Sequence, residues 1–247
     1  MNENEWYKVD ELVKTAKDRY KKYDNGEIDN TNDCDSYRLL YEGQENTNIY
    51  SHNSLGVAAD TISACISFTI RKYAKTAKKL ADLGGGCGFI ASAIKKKNSE
   101  LDIYSYDLQK YASLYGQKNF PNIKFICKAI NPDDIFDEGK FDVILAYEFY
   151  PFTRNSEVLY QKSYVDMCLN NLNDNGILLI EAPITKESNN ILNIENEMRK
   201  SYNVQDKIIM PYPKIHKLCK NYFMANIVSR IFALFRTSKQ CLLVVKK

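Results

Sequence analysis

Leu80-Ala81-Asp82-Leu83-Gly84-Gly85-Gly86-Cys87-Gly88-Phe89-Ile90-Ala91 is a short apolar run that passes through glycine into a second apolar run. Lys79 to Leu83 has the composition of a buried strand, and Phe89-Ile90-Ala91 opens a helix. The glycines between them permit a tight reversal with φ > 0 and no side-chain bulk. Backbone N–H groups and a helix N-terminus face whatever lies above such a turn, so a ligand can rest against bare backbone there.

About one helix and one strand later, Asp102-Ile103-Tyr104-Ser105-Tyr106-Asp107 reads as a strand that ends in a carboxylate. In a βαβ unit that carboxylate arrives beside the glycine turn, within reach of ribose hydroxyls.

The pattern Asp82-x-Gly84-x-Gly86-x-Gly88 followed by Asp107 resembles the class I S-adenosylmethionine-dependent methyltransferases, in their small-molecule branch. The resemblance covers about residues 55–183. It implies an α/β fold, a Rossmann-like seven-stranded and mostly parallel sheet with an antiparallel C-terminal hairpin, a helical N-terminal cap and an extra helix between the last two strands. It implies S-adenosylmethionine as cofactor. Asp82, Gly84, Gly85, Gly86 and Gly88 would hold its methionine side, and Asp107 with Leu108 its ribose. Ala129 and Ile130 would flank the adenine, and Tyr147 and Glu148 would touch the methionine part from the end of the fourth strand. Where the third strand ends, family members often carry an acid; here Lys128-Ala129-Ile130 stands instead, with Asp133 and Asp134 just beyond.

A nicotinamide-binding alternative arises because Gly86-x-Gly88-x-x-Ala91 fits the dinucleotide pattern. Two extra glycines separate that frame from its strand, and the frame starting at Gly84 has Phe89 where helix–strand packing requires a small residue.

The whole chain sets wider bounds. Its 247 residues suffice for one domain with a sizeable core, and 45% hydrophobic with 26% charged residues is ordinary for a globular enzyme. A formal charge of +3 is too small to argue a polyanionic partner, so no nucleic acid is expected, although acids gather in the first fifty residues and lysines and arginines in the last sixty. The seven cysteines are scattered, without the close pairs of zinc or redox motifs, which points to a reducing, cytoplasmic setting and to no metal. The acidic start Met1-Asn2-Glu3-Asn4-Glu5 does not read as a signal peptide, and no apolar stretch is long enough for a membrane span.

In chain order, residues 1–53 read as a helical cap or flap and 54–247 as the catalytic domain, with a helical insertion at about 214–235. Trp6, Val9, Leu12, Val13, Ala16 and Tyr20 fall at helical spacing, and a long helix follows from Ser54 to Tyr73. In the family such a segment packs over the cofactor, which would set Tyr37, Arg38 and Tyr50 along the substrate cleft. The insertion carries an apolar side flanked by lysines and arginines, suited to walling the cleft or to forming a homodimer face.

The fourth strand, Phe141 to Ala146, runs into Tyr147-Glu148-Phe149-Tyr150-Pro151-Phe152-Thr153-Arg154. Amino methyltransferases of nucleobases or glutamine carry Asn/Asp/Ser-Pro-Pro-aromatic here, and this chain keeps only the last proline and an aromatic. A small-molecule methyl acceptor is therefore expected, bound by Tyr37, Arg38, Tyr50, Tyr150, Phe152 and Arg154. Proton removal from it falls to His52, whose imidazole titrates near neutrality, or to Glu148. The expected activity is O- or N-methylation of a sugar, a nucleotide-linked precursor or another anionic metabolite. A non-catalytic methyltransferase-like binding module and the nicotinamide oxidoreductase stay open beside it.

Overall fold

The computed structural model describes residues 55–184 except 109, 154 and 156, together with 190–210, 227, 231 and 239–247. It opens with α1 (Leu55–Tyr73), then alternates β1 (Lys79–Leu83), α2 (Phe89–Lys97), β2 (Asp102–Asp107), α3 (Lys110–Asn119) and β3 (Lys124–Cys127). After β4 (Phe141–Tyr147) come the single-turn α4 (Tyr150–Thr153), α5 (Val158–Asn170), β5 (Leu172–Ile184), α6 (Asn190–Ser201), β6 (Asn203–Ile209) and β7 (Lys239–Lys246).

The strands form one seven-stranded sheet in the order β3-β2-β1-β4-β5-β7-β6. The first five are parallel, and β7 runs antiparallel between β5 and β6. This is the Rossmann-like mixed sheet with a closing antiparallel hairpin that the glycine turn implied. The strand order reverses between β1 and β4, so the connections leaving those two strands diverge and open a crevice beyond their carboxyl ends.

Alternation along each strand feeds two separate cores. Leu80, Ile103, Val143, Leu145, Ile177, Leu179, Leu242 and Val244 face α1 and α2, where Ile62, Cys65, Ile66, Ile70, Ala91 and Ile94 meet them. Ala81, Leu83, Tyr106, Ile144, Ala146, Leu178, Ile180, Leu243 and Val245 face Tyr164, Val165, Met167 and Cys168 of α5 and Met198 of α6. Strands covered on both faces take apolar residues on either side, which is why β1, β4 and β5 read as near-continuous hydrophobic runs, interrupted by Asp82, Asp142 and Glu181. On α1 the buried residues recur at three- and four-residue spacing, which fixes one face of the helix to the sheet. Its last turn is tied to β6, where Asp206 accepts hydrogen bonds from the Tyr73 hydroxyl (2.6 Å) and from Lys72 Nζ (3.2 Å).

Two local features of the sheet's second half have physical causes. The segment after β4 is not an open loop, because Phe149 O accepts from the backbone N–H groups of Phe152 and Thr153 and from Thr153 Oγ1, closing α4. Strand β5 begins at Leu172, ahead of the turn-forming residues Asn173 to Gly176, since Leu172 already pairs with Phe141; those residues make a register shift inside the strand, with Asn175 at φ 66°. The cap at 1–53 lies outside the described residues, as does the insertion at 214–235 apart from the helical, exposed Ile227 and Ile231.

Candidate active site

The turn after β1 is pinned to its neighbour strand by its own backbone. Gly84 and Gly85 both donate N–H to Tyr106 O, at 2.8 and 3.1 Å, and Gly88 N–H closes on Gly85 O at 3.0 Å. Gly88 then caps α2 in the left-handed region at φ 80°, a conformation that residues with a Cβ rarely adopt. Gly85 is required for space instead: a Cβ there would stand 2.1 Å from Ser105 Oγ and 2.6 Å from Asp82 Oδ2. The β4 end closes over the same turn, with the Phe149 ring 3.2 Å from where a Gly84 Cβ would sit.

Two acids flank this backbone. Asp107, the last residue of β2, accepts the Gly86 N–H at Oδ2 (2.8 Å) and is half-buried. Asp82 sits on β1 in register with Ser105 of β2 and is 2% exposed. Among the described residues neither Asp82 Oδ2 nor Ser105 Oγ has a hydrogen-bond partner. Burial, and then the charge of Asp107, push the Asp82 carboxyl up to about 7.

At the far side of the crevice, Tyr147 ends β4 in register with Glu181 of β5. Glu148 follows at φ 46°, left-handed and exposed, and donates its N–H to Glu181 Oε2 at 3.1 Å. Glu181 is 0% exposed and its Oε1 has no partner among the described residues. Burial raises the Glu181 carboxyl well above the usual range, the charge of Glu148 adds to this, and the Glu148 N–H bond opposes it.

A buried carboxyl oxygen without a partner, a second carboxylate one strand away and a run of residues without side chains fit a ligand that carries positive charge and hydrogen-bond donors. S-adenosylmethionine has both in its ammonium, sulfonium and ribose hydroxyls. The residues present thus suit the cofactor that the sequence pattern implied.

Comparison with known proteins decides the family, because the family model of the methyltransferase small domain matches residues 43–208, more than half of the chain. The chain belongs to the methyltransferase small domain family. Membership decides against the nicotinamide alternative. No curated protein sequence matches this methyltransferase. Among solved structures it resembles the plantazolicin methyltransferase BpumL in complex with SAH, with a TM-score of 0.56 and 13% identity over 96% of this chain and 99% of that one. It also resembles Streptomyces venezuelae DesVI (TM-score 0.45, 14% identity, 64% of this chain) and CalS10, an amino pentose methyltransferase from Micromonospora echinaspora (TM-score 0.42, 17% identity, 51% of this chain). The methyltransferase spans 60% of the DesVI chain and 51% of the CalS10 chain. At such identities these likenesses show the fold alone.

The described part of the methyltransferase brings Asp82, Gly84, Gly85, Gly86, Gly88 and Asp107 into one turn, with Tyr147 and Glu148 across the switch point. Leu108 is half-buried, and its carbonyl accepts from Cys127 Sγ. Ala129 is exposed; Ile130 is half-buried, with its carbonyl taken by the Tyr164 hydroxyl at 3.1 Å. Lys128, at the position where relatives often carry an acid, pairs with Asp134 at 3.3 Å. Tyr150 starts α4 half-buried, whereas Phe152 is 1% exposed, its ring set against Phe149 with centroids 6.0 Å apart. His52, Tyr37, Arg38, Tyr50 and Arg154 lie outside the described residues.

Glu181 and Ser105 adjoin the candidate site and were passed over by the sequence reading. Glu181 carried a signal, since it is the one acid in the otherwise apolar run Ile177 to Ile184. Ser105 carried none, because a serine in a strand is unremarkable until its register with Asp82 is known.

Proposed function

We propose that this protein transfers a methyl group from S-adenosylmethionine to oxygen or nitrogen of a small molecule. The observation that carries the proposal is the buried, unpartnered Asp82 carboxyl beside a turn that has no room for a Cβ at Gly85, with Asp107 gripping that turn from the next strand.

When bound, the cofactor supplies a methyl group already activated by a positively charged sulfur. The chain has the simpler duties of orientation, exclusion of water and proton removal. Asp82 and Asp107 offer negative charge and acceptors to the ammonium and the ribose hydroxyls, while the glycine turn admits the nucleoside against bare backbone. Leu108, Ala129 and Ile130 stand at the strand ends where the purine would lie. Tyr147 and Glu148 face the crevice from β4, and the exposed Glu148 carboxylate is positioned to take a proton from an acceptor. His52 is the second candidate base from the sequence.

Tyr150 at the mouth of α4, with Tyr37, Arg38, Tyr50 and Arg154 of the sequence, forms the proposed acceptor-binding set, and the arginines support an acceptor with an anionic part such as a nucleotide-linked sugar. Phe152 contributes by holding Phe149 in place. The test is calorimetric titration with S-adenosylmethionine, followed by a methyl-release assay over a metabolite panel; binding with turnover is expected. Binding without turnover would instead favour a non-catalytic module.

A further inference from the structure

Glu148 adopts a left-handed backbone that costs a non-glycine residue energy, and the bond from its N–H to Glu181 Oε2 holds it there. The other Glu181 oxygen is buried and without a described partner. A buried acceptor left in that state is costly, and strain of this kind gathers where a site is pre-organised.

The position of Glu181 says which ligand it serves. Period-two alternation places it on the face of Ile177 and Leu179, the face that also carries Asp82 two residues beyond Leu80. Asp82 pairs with Leu145 of β4, whereas Glu181 pairs with Tyr147, one strand further over and two residues nearer the carboxyl edge. At ~4.8 Å per strand and ~3.3 Å per residue, the α-carbons of the two residues are separated by roughly 12 Å. Asp82 thus stands beside the glycine turn after β1, and Glu181 stands beyond β4, across the switch point from that turn.

We propose that Glu148 and Glu181 form the acceptor-binding pair of this methyltransferase and that the group they receive is an amine. This rests on the methyltransferase reading above and narrows it to nitrogen. An arriving ammonium offsets the burial that otherwise keeps Glu181 protonated, and the two ionised carboxyls would then accept its N–H bonds and repel a carboxylate or phosphate at the reacting position. The amine arrives protonated and gives one proton to Glu148. Its freed lone pair forms the N–C bond as the C–S bond of the methyl donor breaks, both electrons of that bond going to sulfur. The positive charge passes from the sulfonium to the methylated ammonium, so charge and atoms balance. Glu181 is a positioning residue here, acting through the Glu148 backbone and through its own second oxygen.

The experiment uses the full chain, labelled with ¹³C at glutamate carboxyls, saturated with S-adenosylhomocysteine and titrated with ethylammonium chloride at constant ionic strength. Sodium acetate and ethanol serve as counter-probes. The Glu181 resonance, assigned by its loss in Glu181→Gln, is expected to move on addition of ethylammonium and to ignore the counter-probes. In Glu181→Gln, whose carboxamide oxygen still accepts the Glu148 N–H, the response at Glu148 is expected to need about tenfold more ethylammonium. A Glu181 signal indifferent to ethylammonium, an equal response to acetate, or an unchanged titration in Glu181→Gln would overturn the proposal. Calorimetry on the same sample separates the failures: S-adenosylhomocysteine bound without an amine response strikes the amine proposal alone, and no binding strikes the methyltransferase reading beneath it.

Discussion

Asp107 Oδ2 accepts the backbone N–H of Gly86 at 2.8 Å, so the acid that ends β2 fixes the turn that ends β1. Strand pairing alone sets the level at which they meet, because Asp102 to Tyr106 lie in parallel register with Lys79 to Leu83. In the proposed site one carboxylate thus both shapes the turn and would present charge to the cofactor. Asp107→Ala removes both contributions. We expect S-adenosylmethionine affinity to fall about 10- to 100-fold by calorimetry, with a loss of only about 1–2 kcal/mol in urea unfolding. Asp107→Asn keeps an acceptor and should fall between wild type and Ala.

Gly85→Ala tests the space behind the turn. Its Cβ would meet Ser105 Oγ and Asp82 Oδ2 well inside van der Waals contact, and neither strand can retreat because both are paired on their far sides. Overpacking of this kind costs about 1–3 kcal/mol, and the displaced Asp82 should weaken cofactor binding beyond that. Thermal unfolding and calorimetry on one preparation measure both effects.

Asp82 predicts a pH dependence whose sign follows from its surroundings. Its carboxyl is raised from 3.8 to about 7 in the folded chain, so the native state holds a proton that the unfolded chain releases. The contribution of Asp82 to stability is therefore best below about pH 4, declines as pH rises toward 7, and levels off above it. Asp82→Asn should lift this penalty and raise stability at about pH 8 by on the order of 2–4 kcal/mol. Cationic cofactor favours the ionised acid, so wild-type affinity should climb with pH up to about 7 and then flatten, whereas the Asn variant binds weakly at every pH. Denaturant unfolding and calorimetry between about pH 5 and pH 8 check the two curves.

Asn171 is a structural staple for the loop beyond the adenine-side residues. Its Oδ1 accepts the Phe136 N–H at 3.0 Å, and its Nδ2 donates to Asp134 O at 2.8 Å and Met167 O at 2.9 Å, all at 3% exposure. Asn171→Ala leaves the buried Phe136 N–H unpaired and Asp134 O without its partner, while Met167 O keeps the Asn171 backbone N–H, and should cost about 1–3 kcal/mol. Amide exchange should rise across residues 130–136 before it rises in the sheet.

Much of this could be read in the amino-acid order. The strand, glycine turn and helix that start at Lys79, the carboxylate at 107 and the apolar strand at 141 each follow from local periodicity and turn chemistry, and all stand where those rules put them. What could not be read depends on contacts between distant segments. Glu181 matters because β5 lies beside β4, and Ser105 because β1 and β2 align at Asp82. Phe152 looked like a cleft residue from its proline-aromatic surroundings, but α4 turns it toward Phe149 and the core.

The central claim is that the Gly84 to Gly88 turn and its two acids bind a sulfonium nucleoside. Calorimetric titration of the full chain with S-adenosylmethionine, S-adenosylhomocysteine and NAD tests it most directly. Saturable heat with the first two and none with NAD is the expected result. Silence toward both sulfur nucleosides, or saturable binding of NAD alone, would contradict it.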